Sequence, residues 1–330
     1  MQVNELFRQS NTILLDGGMG TMLQAAGLKL GARPEELNIT DPALIEGIHG
    51  QYAAAGSRIV NANTFGASAH KLAGSAYTLE QVITAGIENC KRACAPYGAL
   101  TALDVGPLGE LLEPSGTLAF EDAVAEYARI VKAGEAAGAD LIFFETYTDL
   151  YELKAALLAA KENTRLPILA SMSFEAGGRT FTGCTVESFA ATARGLGADA
   201  VGINCSLGPK EIFPMAKRLA EAVPGNFPVF VKPNAGLPRA DGSGYDITPQ
   251  LFALQMKPYR ELHLFAAGGC CGTTPEFIKL LNGTFAGCTP GRPAHRMPSV
   301  LCTPVDTVTV DGITVVGERI NPTGKKRFQQ

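Results

Sequence analysis

Apolar residues along the chain form short runs typical of buried strands, and these runs alternate with longer segments of helical periodicity. Eight runs are predicted as strands, at residues 12–16, 57–61, 99–105, 141–145, 166–173, 200–204, 229–232 and 263–267. Eight segments between or after them are predicted as helices, at residues 42–55, 78–95, 119–137, 150–162, 186–196, 209–223, 249–257 and 275–281. Strict alternation requires parallel pairing through helical crossovers. We therefore predict an α/β fold, a parallel eight-stranded (β/α)8 TIM barrel, with an open doubly wound sheet as the alternative.

Polar side chains follow most of the predicted strands, at the point where each strand ends. They include two carboxylates, an amide and three cysteines: Asp16, Glu145, Asn234, Cys205, Cys270 and Cys271. In a barrel the loops after the strands share one mouth, where active sites are built. Single polar residues are common in loops because loops are solvated. Three cysteines and two carboxylates at one rim instead favour a functional site.

The adjacent cysteines Cys270 and Cys271 are flanked by glycines, which let the backbone turn so that both sulfurs converge on one point. Cys205 follows the sixth predicted strand. Three thiolates without a fixed fourth ligand are typical of a catalytic zinc site with an open position. Asn234, from the intervening loop, is placed to offer a weak, displaceable amide oxygen. The alternative for each cysteine alone is a small buried hydrophobe.

A zinc site built from three thiolates suits one type of chemistry better than another. A thiol bound to zinc is deprotonated, because the thiolate is the ligand. Three anionic ligands keep a further bound sulfur electron-rich, so that it can attack carbon. Water activation for hydrolysis more often uses neutral or mixed ligands. The pattern therefore favours alkyl transfer to a thiol.

The first predicted strand ends in Asp16-Gly17-Gly18-Met19, a glycine-rich turn. Such a turn exposes backbone N–H groups that can hold a carboxylate. Asp16 and Glu145 supply negative charge for an ammonium group, so the loop and the two acids could hold the backbone of an amino acid. Taken alone, the loop is better explained as a tight turn with an Asx cap. No phosphate-binding motif of the Walker type follows a strand.

Composition and charge narrow the choice of partners. The 330 residues carry a net charge of −4, with no basic tract before the last few residues, so nucleic acid and anionic membranes are poor partners. Four histidines make a histidine-built metal triad or a Ser-His-Asp enzyme improbable. No apolar run reaches the roughly 18 residues of a membrane span. Eight cysteines and no visible signal peptide predict reduced thiols and a cytoplasmic location.

Several of these motifs together resemble the homocysteine S-methyltransferase family over nearly the whole barrel. They are Leu14-Leu15-Asp16-Gly17-Gly18-Met19-Gly20-Thr21, Asn61-Ala62-Asn63-Thr64-Phe65-Gly66, Gly106-Pro107-Leu108-Gly109, Gly202-Ile203-Asn204-Cys205, Pro233-Asn234-Ala235-Gly236 and Gly269-Cys270-Cys271-Gly272. The resemblance implies that Cys205, Cys270 and Cys271 bind zinc and act in catalysis, with Asn234 beside the metal. It also implies that the Asp16–Met19 loop and Glu145 bind the amino acid.

The last part of the chain differs in pattern from the barrel. We predict a barrel over residues 1–290, a linker over 291–306, and the start of a truncated folate-binding domain over 307–330. Residues 307–316 are predicted as a strand pair about Asp311-Gly312. The following segment, residues 316–324, resembles the start of the folate-binding barrel of cobalamin-dependent methionine synthases. No Asp-x-His-x-x-Gly corrinoid motif is present.

The function implied by this resemblance is zinc-dependent methyl transfer to the thiol of L-homocysteine, giving L-methionine. The donor would be methylcobalamin, carried by a cobalamin-binding domain or a corrinoid protein, and a folate domain would follow in the full-length protein. One alternative is a standalone enzyme that uses S-methylmethionine or another small methyl donor. An alternative of another class is a non-catalytic zinc-binding scaffold.

Overall fold

The computed structural model describes residues 3–29, 31–239, 244–295, 297–310 and 312–313. Eight parallel strands close into a barrel in the order of the sequence. They are β1 (Ile13–Leu15), β2 (Ser57–Asn61), β3 (Leu100–Val105), β4 (Leu141–Tyr147), β5 (Ile168–Met172), β6 (Ala200–Asn204), β7 (Val229–Lys232) and β8 (Ala266–Ala267). β1 pairs with both β2 and β8, which closes the sheet. The predicted (β/α)8 barrel is confirmed, and the open sheet was the wrong alternative.

Helices surround this barrel at the predicted places, with two short additions. They are α1 (Met19–Ala25), α2 (Leu37–Thr40), α3 (Pro42–Ala54), α4 (Leu79–Cys94), α5 (Phe120–Ala136), α6 (Leu150–Asn163), α7 (Val186–Gly195), α8 (Pro209–Glu221), α9 (Pro249–Met256) and α10 (Pro275–Phe285). The short helices α1 and α2 were not predicted. A capping box starts α4, where Thr78 accepts a hydrogen bond from the N–H of Gln81 and the Gln81 side chain accepts one from Thr78.

Apolar side chains fill the lower part of the barrel interior. The rings of Phe143 and Phe230 meet edge to face, with centroids 5.0 Å apart. Gly202 on β6 faces this pair, and a Cβ there would lie 2.3 Å from the Phe230 ring. Leu6, in a 3₁₀ helix (Val3–Arg8), belongs to the same buried cluster. The interior is therefore a packed core rather than a pore.

The interior becomes polar one step further along the strands. The next inward positions are occupied by five buried polar or charged residues: Asn61, Asp104, Glu145, Asn204 and Lys232. Inward and outward side chains alternate along a strand, so these residues follow the apolar inward ones at a spacing of two. This polar layer lies at the carboxyl ends of the strands, where a TIM barrel carries its active site.

A two-stranded hairpin follows the barrel. β9 (Ser299–Cys302) pairs antiparallel with β10 (Thr307–Val310), with Thr307 opposite Cys302. β9 thus lies within the segment predicted as a linker, and β10 is the first arm of the predicted strand pair. Residue 311 and residues 314–330, which contain the rest of that pair and the 316–324 motif, lie outside the described residues. The division into domains stays a prediction. None of the described helices is both long and apolar enough to cross a lipid bilayer.

Candidate active site

Three cysteines from two distant loops meet at the mouth of the barrel. The sulfur atoms of Cys205, Cys270 and Cys271 all lie within 4.8 Å of one another. Those of Cys205 and Cys271 are 3.8 Å apart. Tetrahedral zinc with Zn–S bonds of about 2.3 Å requires sulfur pairs roughly 3.8 Å apart. The spacing of the three thiols therefore fits a zinc ion.

The loop after β7 holds both cysteine loops through its backbone. The N–H of Cys205 donates to the carbonyl of Lys232 (3.0 Å), and the N–H of Cys270 donates to the carbonyl of Pro233 (2.8 Å). The N–H of Ala235 donates to the carbonyl of Cys271 (2.9 Å). Cys205 has a φ of 62°, which is uncommon for a residue with a Cβ. The central loop therefore fixes the relative positions of the two cysteine loops.

Asn234 lies in this same central loop. Its side-chain oxygen is buried and has no hydrogen-bond partner among the described residues. Buried polar atoms normally have partners. This unpaired oxygen belongs to the loop that contacts both cysteine loops, but Asn234 does not line the cavity itself, so its role as a weak fourth ligand stays a prediction.

The sulfurs hold their protons when no cation is present. Hydrogen bonds among the three thiols raise some of their pKa values and lower others, while burial raises all of them; the pKa of each thiol is raised overall, that of Cys271 to about 12. At neutral pH the metal-free site is therefore a set of thiols. A bound cation supplies the positive charge that favours the thiolate form.

In the same cavity, a buried lysine joins the two predicted carboxylates. Lys232 Nζ lies 3.0 Å from Asp16 Oδ1 and 2.9 Å from Glu145 Oε2, and its side chain is 2 % exposed. Burial lowers its pKa, but the charges of Asp16 and Glu145 outweigh burial, so the pKa is raised overall. The two acids were predicted to bind a substrate ammonium group. They already share one cation, so together the three groups carry a single net negative charge.

Asp104 adds a third carboxylate to this region. One of its oxygens is buried without a partner among the described residues. Burial and, next, the charge of Glu145 raise its pKa well above the usual range. An additional cation, such as an ammonium group, would relieve both the missing hydrogen bond and the excess of negative charge.

The glycine loop Asp16–Met19 packs directly against the cysteine loop. A Cβ on Gly18 would lie 2.8 Å from the carbonyl oxygen of Cys270, and one on Gly17 would lie 2.6 Å from Thr273 Oγ1. The N–H of Gly18 already donates to Thr273. The N–H of Met19, at the start of α1, donates to no described group. The glycines thus have a packing role, and Met19, whose N–H has no partner among the described residues, lines the cavity.

These groups line one cavity of about 340 Å³. All the predicted site residues except Asn234 face it, namely Asp16, Gly17, Gly18, Met19, Glu145, Cys205, Cys270 and Cys271. Among the other lining residues, Lys232, Asp104, Thr146 and Tyr245 had no predicted role. The cavity thus has an anionic end and a sulfur end, connected through the backbone of β7.

A sequence profile described as homocysteine S-methyltransferase matches residues 13–285 of the chain. This match spans the barrel and every residue of the cavity named above. The chain belongs to the homocysteine S-methyltransferase family. Membership confirms the resemblance seen in the motifs.

Relatives in this family include two methionine synthases. Those of Mycobacterium tuberculosis and Mycobacterium leprae are each 32 % identical to the chain over 96 % of its length. The chain spans 28 % of the length of each relative. Among solved structures, the oxidized form of the homocysteine methyltransferase MmuM from Escherichia coli superimposes with a TM-score of 0.73 at 24 % identity, over 85 % of this chain and 98 % of that one. At this identity the likeness shows the fold alone.

Lys232 is the main site residue that sequence reasoning missed. Lys232 is the last residue of β7, and Phe230, two residues earlier on the same strand, faces inward and is fully buried. That spacing was visible in the sequence and placed the lysine inside the barrel. Tyr245 and Thr146 carried no comparable signal, because both belong to irregular backbone.

The other cysteines form no comparable group among the described residues. Cys90 and Cys94 lie one turn apart on α4, with sulfurs 3.8 Å apart, and are buried without a third ligand-type residue. Cys184 and Cys288 are buried, and Cys302 is exposed.

Proposed function

We propose that the chain transfers a methyl group to the thiol of L-homocysteine and releases L-methionine, with zinc bound by Cys205, Cys270 and Cys271. The observation that carries the proposal is the placement of three converging sulfurs in the same cavity as an anionic amino-acid site. Zinc, when bound, would lower the pKa of the substrate thiol and hold it as a nucleophilic thiolate.

The substrate would be oriented by residues at the anionic end. Asp104 and the Lys232-linked pair of Asp16 and Glu145 offer carboxylate oxygens to the ammonium group of homocysteine. The N–H of Met19, at the start of α1, is available to its carboxylate. Holding both ends in place brings the thiol to the cysteines and lowers the entropic cost of the reaction. Asn234 would yield its place beside the metal to the substrate sulfur.

The methyl donor would be methylcobalamin, brought to the mouth by a cobalamin-binding domain or a corrinoid protein. A sulfur–methyl bond forms as the cobalt–methyl bond breaks, and both electrons of the broken bond stay with cobalt, giving cob(I)alamin. The proton of the thiol leaves when the thiol becomes a thiolate. The similarity to methionine synthases that extend well beyond this chain supports a donor carried outside it. A folate domain would follow in the full-length protein.

The test compares Cys270→Ala with wild type, measuring bound zinc and methyl transfer from free methylcobalamin. We expect Cys270→Ala to lose most of its zinc and its methyl transfer, because two thiolates cannot complete the site. Cys302→Ala changes an exposed cysteine outside the cavity and should keep both properties. Retention of zinc and activity by Cys270→Ala contradicts the proposal.

The same assay separates the alternatives. Methionine formation from S-methylmethionine, with none from methylcobalamin, would identify a standalone enzyme with a small donor. A wild-type protein that binds zinc but forms no methionine from either donor would identify the zinc-binding scaffold.

A further inference from the structure

Asn204, the last residue of β6, has a side chain that contacts two residues lining the cavity, Thr146 and Cys270. It is completely buried. Its Oδ1 accepts hydrogen bonds from the N–H of Thr146 (2.9 Å) and from Ser171 Oγ (2.9 Å). Its Nδ2 donates to Thr146 Oγ1 (2.7 Å) and to the sulfur of Cys270 (3.8 Å). Both donors and both acceptor sites of the amide are therefore used.

The contacts with Thr146 stabilise an irregular part of β4. The pairing of β4 with β5 shifts register between Phe144 and Tyr147, which marks a bulge. Thr146 lies in the bulge with a φ of 68°, a left-handed conformation that a β-branched residue rarely adopts. Such a conformation costs of order 1–3 kcal/mol and persists only where surrounding contacts stabilise it. Asn204 supplies contacts to both the N–H and the hydroxyl of this residue.

The bulge determines which side chains of β4 face the cavity. Glu145 and Thr146 both line it, while Tyr147 points outward into the core between the barrel and the helices. Without the extra residue, strict alternation would turn Tyr147 inward instead. The bulge therefore helps to place Glu145 at its 2.9 Å contact with Lys232.

The contact with Cys270 links the same amide to the sulfur end. An N–H donor to sulfur fixes the sulfur's position and disperses negative charge when the thiol ionises. The backbone of Asn204 is also held, because Ser173 Oγ donates to its carbonyl (2.7 Å). The next residue is Cys205, so the position of Asn204 affects a second sulfur as well.

We propose that Asn204 is a positioning residue that fixes the spacing between Glu145 and the three cysteines, and that this spacing selects homocysteine over cysteine. The two amino acids differ by one methylene group between Cα and sulfur. A site with rigidly spaced ends can reach both ammonium and thiol only in the longer one. A difference of one methylene typically gives about 10- to 200-fold discrimination. The inference rests on the proposed function.

The test measures the dissociation constants of homocysteine and cysteine by calorimetry with zinc-loaded wild type and Asn204→Ala. We expect the wild type to prefer homocysteine by at least about tenfold. In Asn204→Ala this preference should fall severalfold, mainly through weaker binding of homocysteine. Asn163→Ala, which removes an amide from the last residue of α6, outside the cavity, should keep the preference. A Co²⁺ titration checks that sulfur-to-metal charge-transfer absorption persists in each variant.

A rescue experiment distinguishes positioning from simple packing. Glycine adopts a φ near 68° without strain, so Thr146→Gly added to Asn204→Ala should restore part of the preference for homocysteine. Asn204→Asp keeps the side-chain volume but loses both N–H donors, and it replaces Asn204→Ala if the latter does not fold. Equal weakening of both amino acids in the variant, or an equal loss of preference in Asn163→Ala, overturns the inference. A wild type that binds neither amino acid refutes the proposed function itself.

Discussion

Replacing Lys232 with methionine tests how the anionic end of the cavity is held together. Methionine is unbranched and has similar bulk, but it lacks the ammonium group that lies 3.0 Å from Asp16 and 2.9 Å from Glu145. Removing one partner from a buried ion pair leaves uncompensated charge and typically costs about 3–5 kcal/mol. The cation–π contact with the Phe143 ring, 5.0 Å away, is lost too. We expect Lys232→Met to lower the free energy of unfolding by this amount at pH 8.

The penalty should depend on pH in a defined direction. Burial already raises the pKa of Asp16 in the folded protein. Without the lysine this pKa rises further, while the unfolded chain keeps an ordinary value. The folded variant then binds more protons than the unfolded one, so its stability falls as pH rises. Each affected carboxyl group contributes about 1.4 kcal/mol per pH unit between its unfolded and folded pKa values.

Urea denaturation of wild type and Lys232→Met at pH 5.5 and pH 8 measures both effects. Lys217→Met removes an exposed lysine from α8 and provides the control, since it should change stability little at either pH. A penalty below about 1 kcal/mol at pH 8, or one that is the same at both pH values, would refute the role assigned to Lys232.

Three further changes test the fold. His49 is buried on α3 without a partner for either ring nitrogen among the described residues, and burial lowers its pKa to about 3. The free energy of unfolding of the wild type, measured by urea denaturation, should therefore fall by about 3 kcal/mol between pH 6.5 and pH 4. His49→Leu has no imidazole to protonate, so this fall should be absent from the variant. Gly202→Ala places a Cβ 2.3 Å from the Phe230 ring and should lower the free energy of unfolding by about 1–3 kcal/mol. Gly50→Ala, in open space on α3, is the control and should not lower it. Equal melting temperatures of the two variants would contradict this expectation. Thr78→Ala removes the cap of α4 and should cost about 0.5–2 kcal/mol in thermal unfolding, and an unchanged midpoint would show that the cap is not needed.

The strands were predictable because apolar runs and helical segments alternate without a break, and three strands were placed at their observed bounds. Differences arise where backbone irregularity decides the ends. β4 continues to Tyr147, two residues beyond the predicted end, because the bulge at Thr146 allows the strand to pass Glu145. β8 is two residues long rather than five, because a 3₁₀ helix (Lys257–Leu262) and the left-handed His263 precede it. No residue type in the sequence signals either feature.

The sulfur end of the cavity was easier to predict than the anionic end. Adjacent cysteines between glycines have few structural explanations, so Cys270 and Cys271 stood out in the sequence. A lysine at the end of a strand is usually exposed, and the sequence does not show that Lys232 pairs with acids that lie 216 and 87 residues away. Partners that distant become visible only when the barrel closes.

Lys232 also explains why the two ends of the cavity keep a fixed spacing. Its side chain binds Asp16 and Glu145, and its carbonyl accepts the N–H of Cys205. β7 lies between β6 and β8, so the carbonyl of the next residue, Pro233, can accept the N–H of Cys270 on the other side. One short segment of β7 therefore contacts the acids through a side chain and the cysteine loops through its backbone. These contacts involve the last strand residues and not the tips of the outer loops. Changes in the outer loops can therefore alter access to the mouth while the distance between the acids and the sulfurs stays the same.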